Sequence, residues 1–222
     1  IGARVDEGKT KNYYTKEFGR GYINGGLGTR FHYQNLSWNN QNMLRYIKSF
    51  GSKNKHRLNA LAVFEQTYVS RESEYLSVTD FPIETLGFNA LQNGLIPETP
   101  DTFATETMLK SYLTRINYGL NGIYNLTLSM RADGSSRFGS ENKWGYFPAV
   151  GFSWNLHNEK FLGNAEVIDN LKLRLSYGQT GNQGIPAYGS FSVLGVSNTI
   201  FSGNVNAGLA VTSLPNPDLK WE

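Results

Sequence analysis

The sequence predicts an all-β protein, an antiparallel meander forming part of a transmembrane β-barrel. Three observations predict it. Apolar and polar residues alternate with period two along several runs of 9 to 11 residues. The connections between those runs are short on one side and long on the other, as on the two rims of an outer-membrane barrel. The composition joins 24 glycines and 14 % aromatics to only 39 % hydrophobic residues in 222. A two-layer soluble domain of this length usually carries more aliphatic content.

The elements follow in order. Residues 1 to 40 are polar, with Gly19, Gly21, Gly25, Gly26 and Gly28 close together, and read as a long loop or a ragged strand pair. No Gly-Lys-Ser/Thr follows these glycines, so they do not make a phosphate loop. From Asn42, Leu44, Tyr46 and Phe50 oppose Arg45 and Ser49, and Gly51–Lys55 is a short turn. A second run covers His56 to about Ser70. Leu58, Ala60, Ala62, Phe64 and Tyr68 share one phase, but Leu61 and Val63 lie in the other beside Asn59 and Glu65, so the facing stays open. Residues 71 to 107 carry Pro82, Pro97 and Pro100 and read as a long connection, with room for one helical turn between Asp80 and Leu95.

Alternation is clearest afterwards. Tyr112, Thr114, Ile116, Tyr118 and Leu120 oppose Leu113, Arg115 and Asn117. Asn121-Gly122 is a strong hairpin signal. Beyond it Tyr124, Leu126, Leu128 and Met130 oppose Asn125, Thr127, Ser129 and Arg131. Tyr146, Val150, Phe152, Trp154 and Leu156 then oppose Ala149, Gly151, Ser153 and Asn155. A medium turn at 157–168 with room for a helical turn precedes Leu171, Leu173, Leu175 and Tyr177, which oppose Lys172, Arg174 and Ser176. The aromatic residues at strand ends suit interfacial girdles. A half-exposed soluble sheet produces the same alternation, so the loop asymmetry carries the membrane reading.

Several function classes find no anchor. The net charge of +3 is small and dispersed, which argues against nucleic acid. With no cysteine there is neither a disulfide nor a thiolate metal site. His32, His56 and His157 lie far apart without a metal-ligand spacing, and no Gly-x-Ser-x-Gly elbow occurs. The acidic residues between Glu65 and Glu106 read as solvated. No catalytic, cofactor-binding or metal residue is expected, and no cofactor. Arg131-Ala132-Asp133-Gly134-Ser135-Ser136-Arg137-Phe138-Gly139 has two readings. One is a ligand-contacting loop; the other, preferred, is a tight loop shaped by Asp133-Gly134, with Arg137 paired to Asp133.

That block, with Trp144-Gly145-Tyr146-Phe147-Pro148, Ile168-Asp169-Asn170-Leu171-Lys172-Leu173-Arg174, Ser176-Tyr177-Gly178-Gln179-Thr180-Gly181-Asn182-Gln183 and Asn216-Pro217-Asp218-Leu219-Lys220-Trp221-Glu222, resembles the late barrel region of the SusC/RagA-type TonB-dependent outer-membrane transporters. The order and intervals of the blocks carry the resemblance. It implies that residues 1–222 are a single segment of a large barrel of about 22 strands, without the plug and N-terminal regions. It further implies an importer of glycans or peptides in the outer membrane of a Gram-negative bacterium. The implied partners are the rest of the barrel and its plug, the TonB energy-coupling complex, a SusD-like surface lipoprotein and membrane lipid.

Within the segment Arg115, Asn117, Arg131, Lys172 and Arg174 are expected to line the lumen, and Tyr188, Phe191 and Phe201 to offer rings for stacking on a substrate. Six to eight strands are expected, and a further strand pattern starts at Trp221-Glu222. The chain starts at Ile1 without a signal peptide, so both ends read as cut. A soluble β-rich carbohydrate-binding module and a small self-contained outer-membrane barrel are the alternatives.

Overall fold

The structure is a computed structural model that describes residues 1–162, 169–201 and 204–222, without the side chains of 198, 199, 201 and 204–207. It contains strands β1 (Gly2–Tyr14), β2 (Leu27–Phe50), β3 (His56–Thr79), β4 (Ile96–Pro97), β5 (Asp101–Leu120), β6 (Tyr124–Ser135), β7 (Trp144–Asn155), β8 (Lys172–Gly178), β9 (Val193–Phe201) and β10 (Asn204–Ser213). One sheet runs in the order β1-β2-β3-β5-β6-β7-β8, with β4 beside β3, and β9 pairs β10 separately. Successive strands are neighbours and every described pairing is antiparallel. The meander is therefore present, with ten described strands instead of six to eight.

The chain divides into two compact units. The first comprises 1–39 and 68–107, the second 40–67 and 108–222. In the first, β1 and β2 pair without a break from Gly2↔Asn39 to Tyr14↔Leu27. The expected loop or ragged pair is thus a long regular hairpin, with helix α1 (Gly19–Ile23) in its connection. Strand β3 likewise runs on to Thr79 and β5 starts at Asp101, so the expected long connection shrinks to residues 80–100. Those extensions mix polar and apolar residues on both faces, with Tyr75 beside Leu76, and lack the contrast that period-two reading needs. The connection holds two 3-10 turns, Gly87–Asn89 and Leu91–Asn93.

A small core closes this loop end. Phe81, Ala90, Leu91 and Leu27 are buried, and Tyr13 meets Phe81 edge-on at 5.1 Å. The Tyr13 hydroxyl and the Lys16 amide both donate to Glu84, at 3.0 and 2.9 Å. Partial burial, and then the Glu84 carboxylate opposite, push the Tyr13 phenol up to about 12.

In the second unit β5 and β6 pair from Leu109↔Ser135 to Leu120↔Tyr124. Asn121 and Gly122 take φ of 55° and 68°, the left-handed pair of a type I′ turn. Ile123 adds a third loop residue, and its amide closes the turn onto the Leu120 carbonyl at 3.0 Å. A 3-10 turn at Leu156–Asn158 follows β7; residues 163–168 of that connection lie outside the described residues. Residues 214–222 form no strand; they fold back onto the β6–β7 loop.

The hydrophobic balance is unusual. Among the described residues five apolar side chains are buried, while 44 large apolar ones are exposed. A water-soluble monomer rarely exposes more than one patch of a few hundred Å². From Leu126 to Met130 and from Tyr146 to Phe152, accessibility alternates residue by residue, with the apolar even-numbered positions the more open.

Candidate functional site

Registers place the two faces of β5–β8 without ambiguity. One face carries Ile116↔Leu128↔Val150↔Tyr177 and Tyr118↔Leu126↔Phe152↔Leu175. The other carries Arg115↔Ser129↔Ala149↔Gly178 and Gly119↔Asn125↔Ser153↔Arg174. Directly opposed residues in an antiparallel pair share a face, so each face keeps its character across four strands.

Aromatic rows bound the apolar face. At one end Phe64, Tyr112 and Trp144 stand side by side with ring separations of 5.2 and 5.9 Å. At the other, Phe50 stacks on His56 at 4.9 Å, and Tyr124 stacks on Trp154 at 6.0 Å. Their polar tips are satisfied. His56 and the Tyr118 hydroxyl meet at 2.6 Å. Glu159, in the turn after β7, accepts from the Tyr124 hydroxyl at 2.5 Å and from the Trp154 indole at 2.9 Å. Trp144 and Trp154 lie ten residues apart on one strand. That is about 33 Å of strand, or about 25 Å of height at a tilt near 40°, which matches the apolar band of an outer-membrane barrel.

The polar face holds the five residues expected at a lumen. Arg115, Asn117, Arg131, Lys172 and Arg174 all occupy its phase. Asn117 accepts from the Thr127 hydroxyl at 2.8 Å. Arg131 grips the buried Asp133 carboxylate through Nε at 2.7 and 2.9 Å and donates to the Ser111 hydroxyl at 3.2 Å. Arg137 takes no part in that pair. Its guanidinium donates to the carbonyls of Ile185 and Gln183, at 2.8 and 3.4 Å. The expected Arg137–Asp133 pairing is replaced because Arg131 and Asp133, two apart on one strand, share a face, whereas Arg137 lies beyond the end of β6.

Four of the five blocks that carried the resemblance converge at this end of the second unit; in the fifth, Lys172 and Arg174 pair with Asn155 and Ser153 toward the other end. Phe138 is fully buried and packs on Trp221 at 5.0 Å, which meets Phe147 edge-on at 5.5 Å. Gly145 sits beneath them, where a Cβ would come within 2.7 Å of the Trp221 ring. The Trp221 indole donates to the Lys143 carbonyl, Asn142 to the Pro217 carbonyl, and the Asn182 amide to Glu222. Gly134, one of the three expected loop-shaping positions, is a strand residue paired with Lys110 and Trp144. Tyr188 and Phe191 are exposed on the connection between β8 and β9, Tyr188 with φ of 63°. The Phe201 side chain lies outside the described residues.

Sequence reading missed Phe138, Trp221 and Glu159 as structural anchors. It also missed His32, whose ring nitrogens meet Glu74 and Glu7, each at 3.0 Å. The signal for His32 is the register of the first hairpin, Lys9↔His32, which brings Glu7 alongside. Glu74, and then Glu7, raise the His32 pKa; Lys9, and then His32, lower that of Glu7.

Among the described residues no group of three His, Asp or Glu is arranged to hold a metal. No helix is long and apolar enough to cross a membrane, which says nothing of crossing by strands.

Comparison with known proteins gives one family. Residues 3–222 match the family model described as TonB dependent receptor-like, beta-barrel. TonB-dependent receptor P26 of Formosa agariphila is 35 % identical over 191 residues, 83 % of this chain and 19 % of the relative. TonB-dependent receptor SusC of Bacteroides thetaiotaomicron is 39 % identical over 124 residues, 54 % of this chain and 12 % of that protein. The chain thus spans about a fifth or less of the length of these relatives. The RagAB peptide importer in its closed-closed state superposes with a TM-score of 0.83 at 28 % identity, over 99 % of this chain and 24 % of that one. A RagAB peptide transporter structure gives 0.78 at 30 % identity, over 88 % of this chain and 21 % of that one.

Proposed function

Because the chain belongs to the TonB-dependent receptor-like β-barrel family, we propose that it forms one stretch of barrel wall in an outer-membrane importer of nutrient oligomers. One observation carries the reading. A single sheet is apolar on one face, over about 25 Å between aromatic rows, and polar on the other. Lipid contacts the first face, and the second lines a water-filled lumen through Arg115, Asn117, Arg131, Lys172 and Arg174. A soluble carbohydrate-binding module accounts poorly for so much unpartnered apolar surface. The wall works without a catalytic step.

The importer is energised by the TonB complex and takes up glycans or peptides, with a SusD-like surface lipoprotein and its own plug completing the machine. The peptide importer among the similar structures favours peptides, and the resemblance of the sequence blocks to the SusC/RagA type keeps glycans in view. Growth complementation tests the reading. The full-length protein should restore growth of a Gram-negative host lacking its own importer on an oligomeric peptide or glycan as sole nutrient, and rescue should vanish when the proton-motive force is collapsed. Rescue that persists in de-energised cells would contradict active import.

A further inference from the structure

We propose that the polar face of β5–β8 selects anionic oligomers, its cations engaging carboxylate or sulfate groups spaced along the substrate. This rests on the importer reading of the same face and adds the substrate's charge.

The charge balance on this face is lopsided. In the second unit its strand phase carries Arg45, Arg57, Arg115, Arg131, Lys172 and Arg174 against Glu65 and Asp133. The whole chain, by contrast, is only +3. Asp133 is already held by Arg131 at 2.7 Å, and Arg45 donates to Asn59 at 3.2 Å. Among the described residues Arg57, Arg115, Lys172 and Arg174 make no ion pair. Like charges on one wall repel each other, and an anion bound between them relieves that repulsion. A neutral oligomer gains nothing from it.

The geometry leaves room for such a guest. The Cβ of Arg57 lies beside Gly119, and Gly119, Asn125, Ser153 and Arg174 follow in register across the sheet. Arg57 and Arg174 therefore stand four strand spacings apart, about 19 Å. Between that row and Arg115 the floor consists of small residues. Thr127, Ser129, Ala149, Gly151, Ser176 and Gly178 supply this face's share of the lining of a depression of about 300 Å³, which Val150 and Tyr177, in the phase of the other face, also border. Nothing bulky there obstructs a chain lying across the wall, and the hydroxyls offer hydrogen bonds to it.

Three of the four bare cations are arginines, whose planar fork matches carboxylate and sulfate oxygens in pairs. A polar channel walled by lipid also focuses the field of like charges on its interior. The cations thus act at a distance on an approaching anion before any contact forms.

Binding to the purified full-length protein tests this with four fluorescent probes: an acidic oligosaccharide, an acidic peptide, and an uncharged counterpart of each. Whichever acidic probe binds the unaltered protein identifies the source of the anion. In the double variant Arg115→Gln, Arg174→Gln that probe should lose about three- to tenfold in affinity. The uncharged counterparts should be unchanged, and Arg115→Lys with Arg174→Lys should recover most of the loss. Equal losses for acidic and uncharged probes would overturn the proposal by assigning the arginines a structural role. Unaltered affinity for the acidic probe, or no acidic binding at all, would overturn it too. Import of acidic and uncharged oligomers with equal efficiency, before and after the substitutions, leaves the importer reading standing while this one fails. Failure to import any oligomer removes the importer reading itself.

Discussion

Leu128 and Ser129 are neighbours in sequence, yet they belong to different solvents. The face of Leu128 has almost no internal partners. Its side chains are exposed in rows, and its order comes from aromatic rings at the two ends with their polar tips tied to His56 and Glu159. The face of Ser129 pairs part of itself, through Thr127 with Asn117, Arg131 with Asp133 and Ser111, and Arg45 with Asn59, and leaves other cations such as Arg115 without an ion pair among the described residues. Where no water is present every polar group must be paired within the wall, and where water is present it need not be. The two faces differ because the backbone ladder already satisfies the sheet. Side chains are then free to match whatever lies beyond it.

Substitutions can break this contrast in order of expected size. Phe138 is the one fully buried apolar side chain of the second unit among the described residues. Phe138→Ala should cost about 3–5 kcal/mol in a folding titration of the full-length protein, against well under half of that for the exposed Phe161→Ala. An equal cost at both positions would show that the Phe138–Trp221 packing is not what holds the blocks together. Leu128→Arg, at mid-belt, should destabilise the barrel in lipid by about 2–4 kcal/mol. Ser129→Arg, placed opposite Arg115, should cost no more than about 1 kcal/mol. A reversed order would exchange the two faces.

Smaller effects sharpen the polar side. Asp133→Ala removes a buried acceptor and releases Arg131, which is itself 41 % exposed in its side chain. Solvent screening limits the loss to about 1 kcal/mol, and Arg137→Ala should lower stability without altering the Arg131 environment.

The smallest effect is a pH dependence at His32, well along β2 from the aromatic rows. The folded His32 pKa is raised, by Glu74 and then Glu7. Its contribution is therefore complete below the ordinary histidine value of about 6.5 and fades as pH rises through the raised one. The folded Glu7 pKa is lowered, by Lys9 and then His32, so its contribution is present above the ordinary carboxylate range and fades in acid. Hydrogen exchange, corrected for intrinsic rates, should show the β1–β2 hairpin more protected near about pH 6 than near about pH 8. His32→Gln should abolish that difference; a difference surviving the substitution would locate the titration elsewhere.

Legibility in the sequence follows the same contrast. Strands β5 to β8 were readable because one face meets lipid and the other water, so Tyr124 to Arg131 alternates cleanly. The outer lengths of β1, β2, β3 and β5 mix polar and apolar residues on both sides, as with Phe31 and Leu36 or Tyr75 and Leu76, so residues 1–40 read as a loop or ragged strand pair and 71–79 and 101–107 as part of a long connection. Asn121-Gly122 announced its turn through backbone preference, although the added Ile123 did not show. Side-chain partners were the least readable. Two residues apart on a strand means the same face, a rule that points Arg131 at Asp133, whereas Arg137 reaches carbonyls nearly fifty residues away. No local signal encodes that contact. Phe138, Phe147 and Trp221 likewise meet only through the fold.

The central claim is that even-numbered side chains of β6 face lipid and odd-numbered ones face water. The chain has no cysteine, so single cysteines at each position from 124 to 131 can carry a spin label in the full-length protein in liposomes. Collision with oxygen, which partitions into lipid, should peak at 124, 126, 128 and 130. Collision with a water-soluble nickel chelate should peak at 125, 127, 129 and 131. Profiles that are flat, or that rise and fall together for the two reagents, would contradict a wall standing between lipid and water.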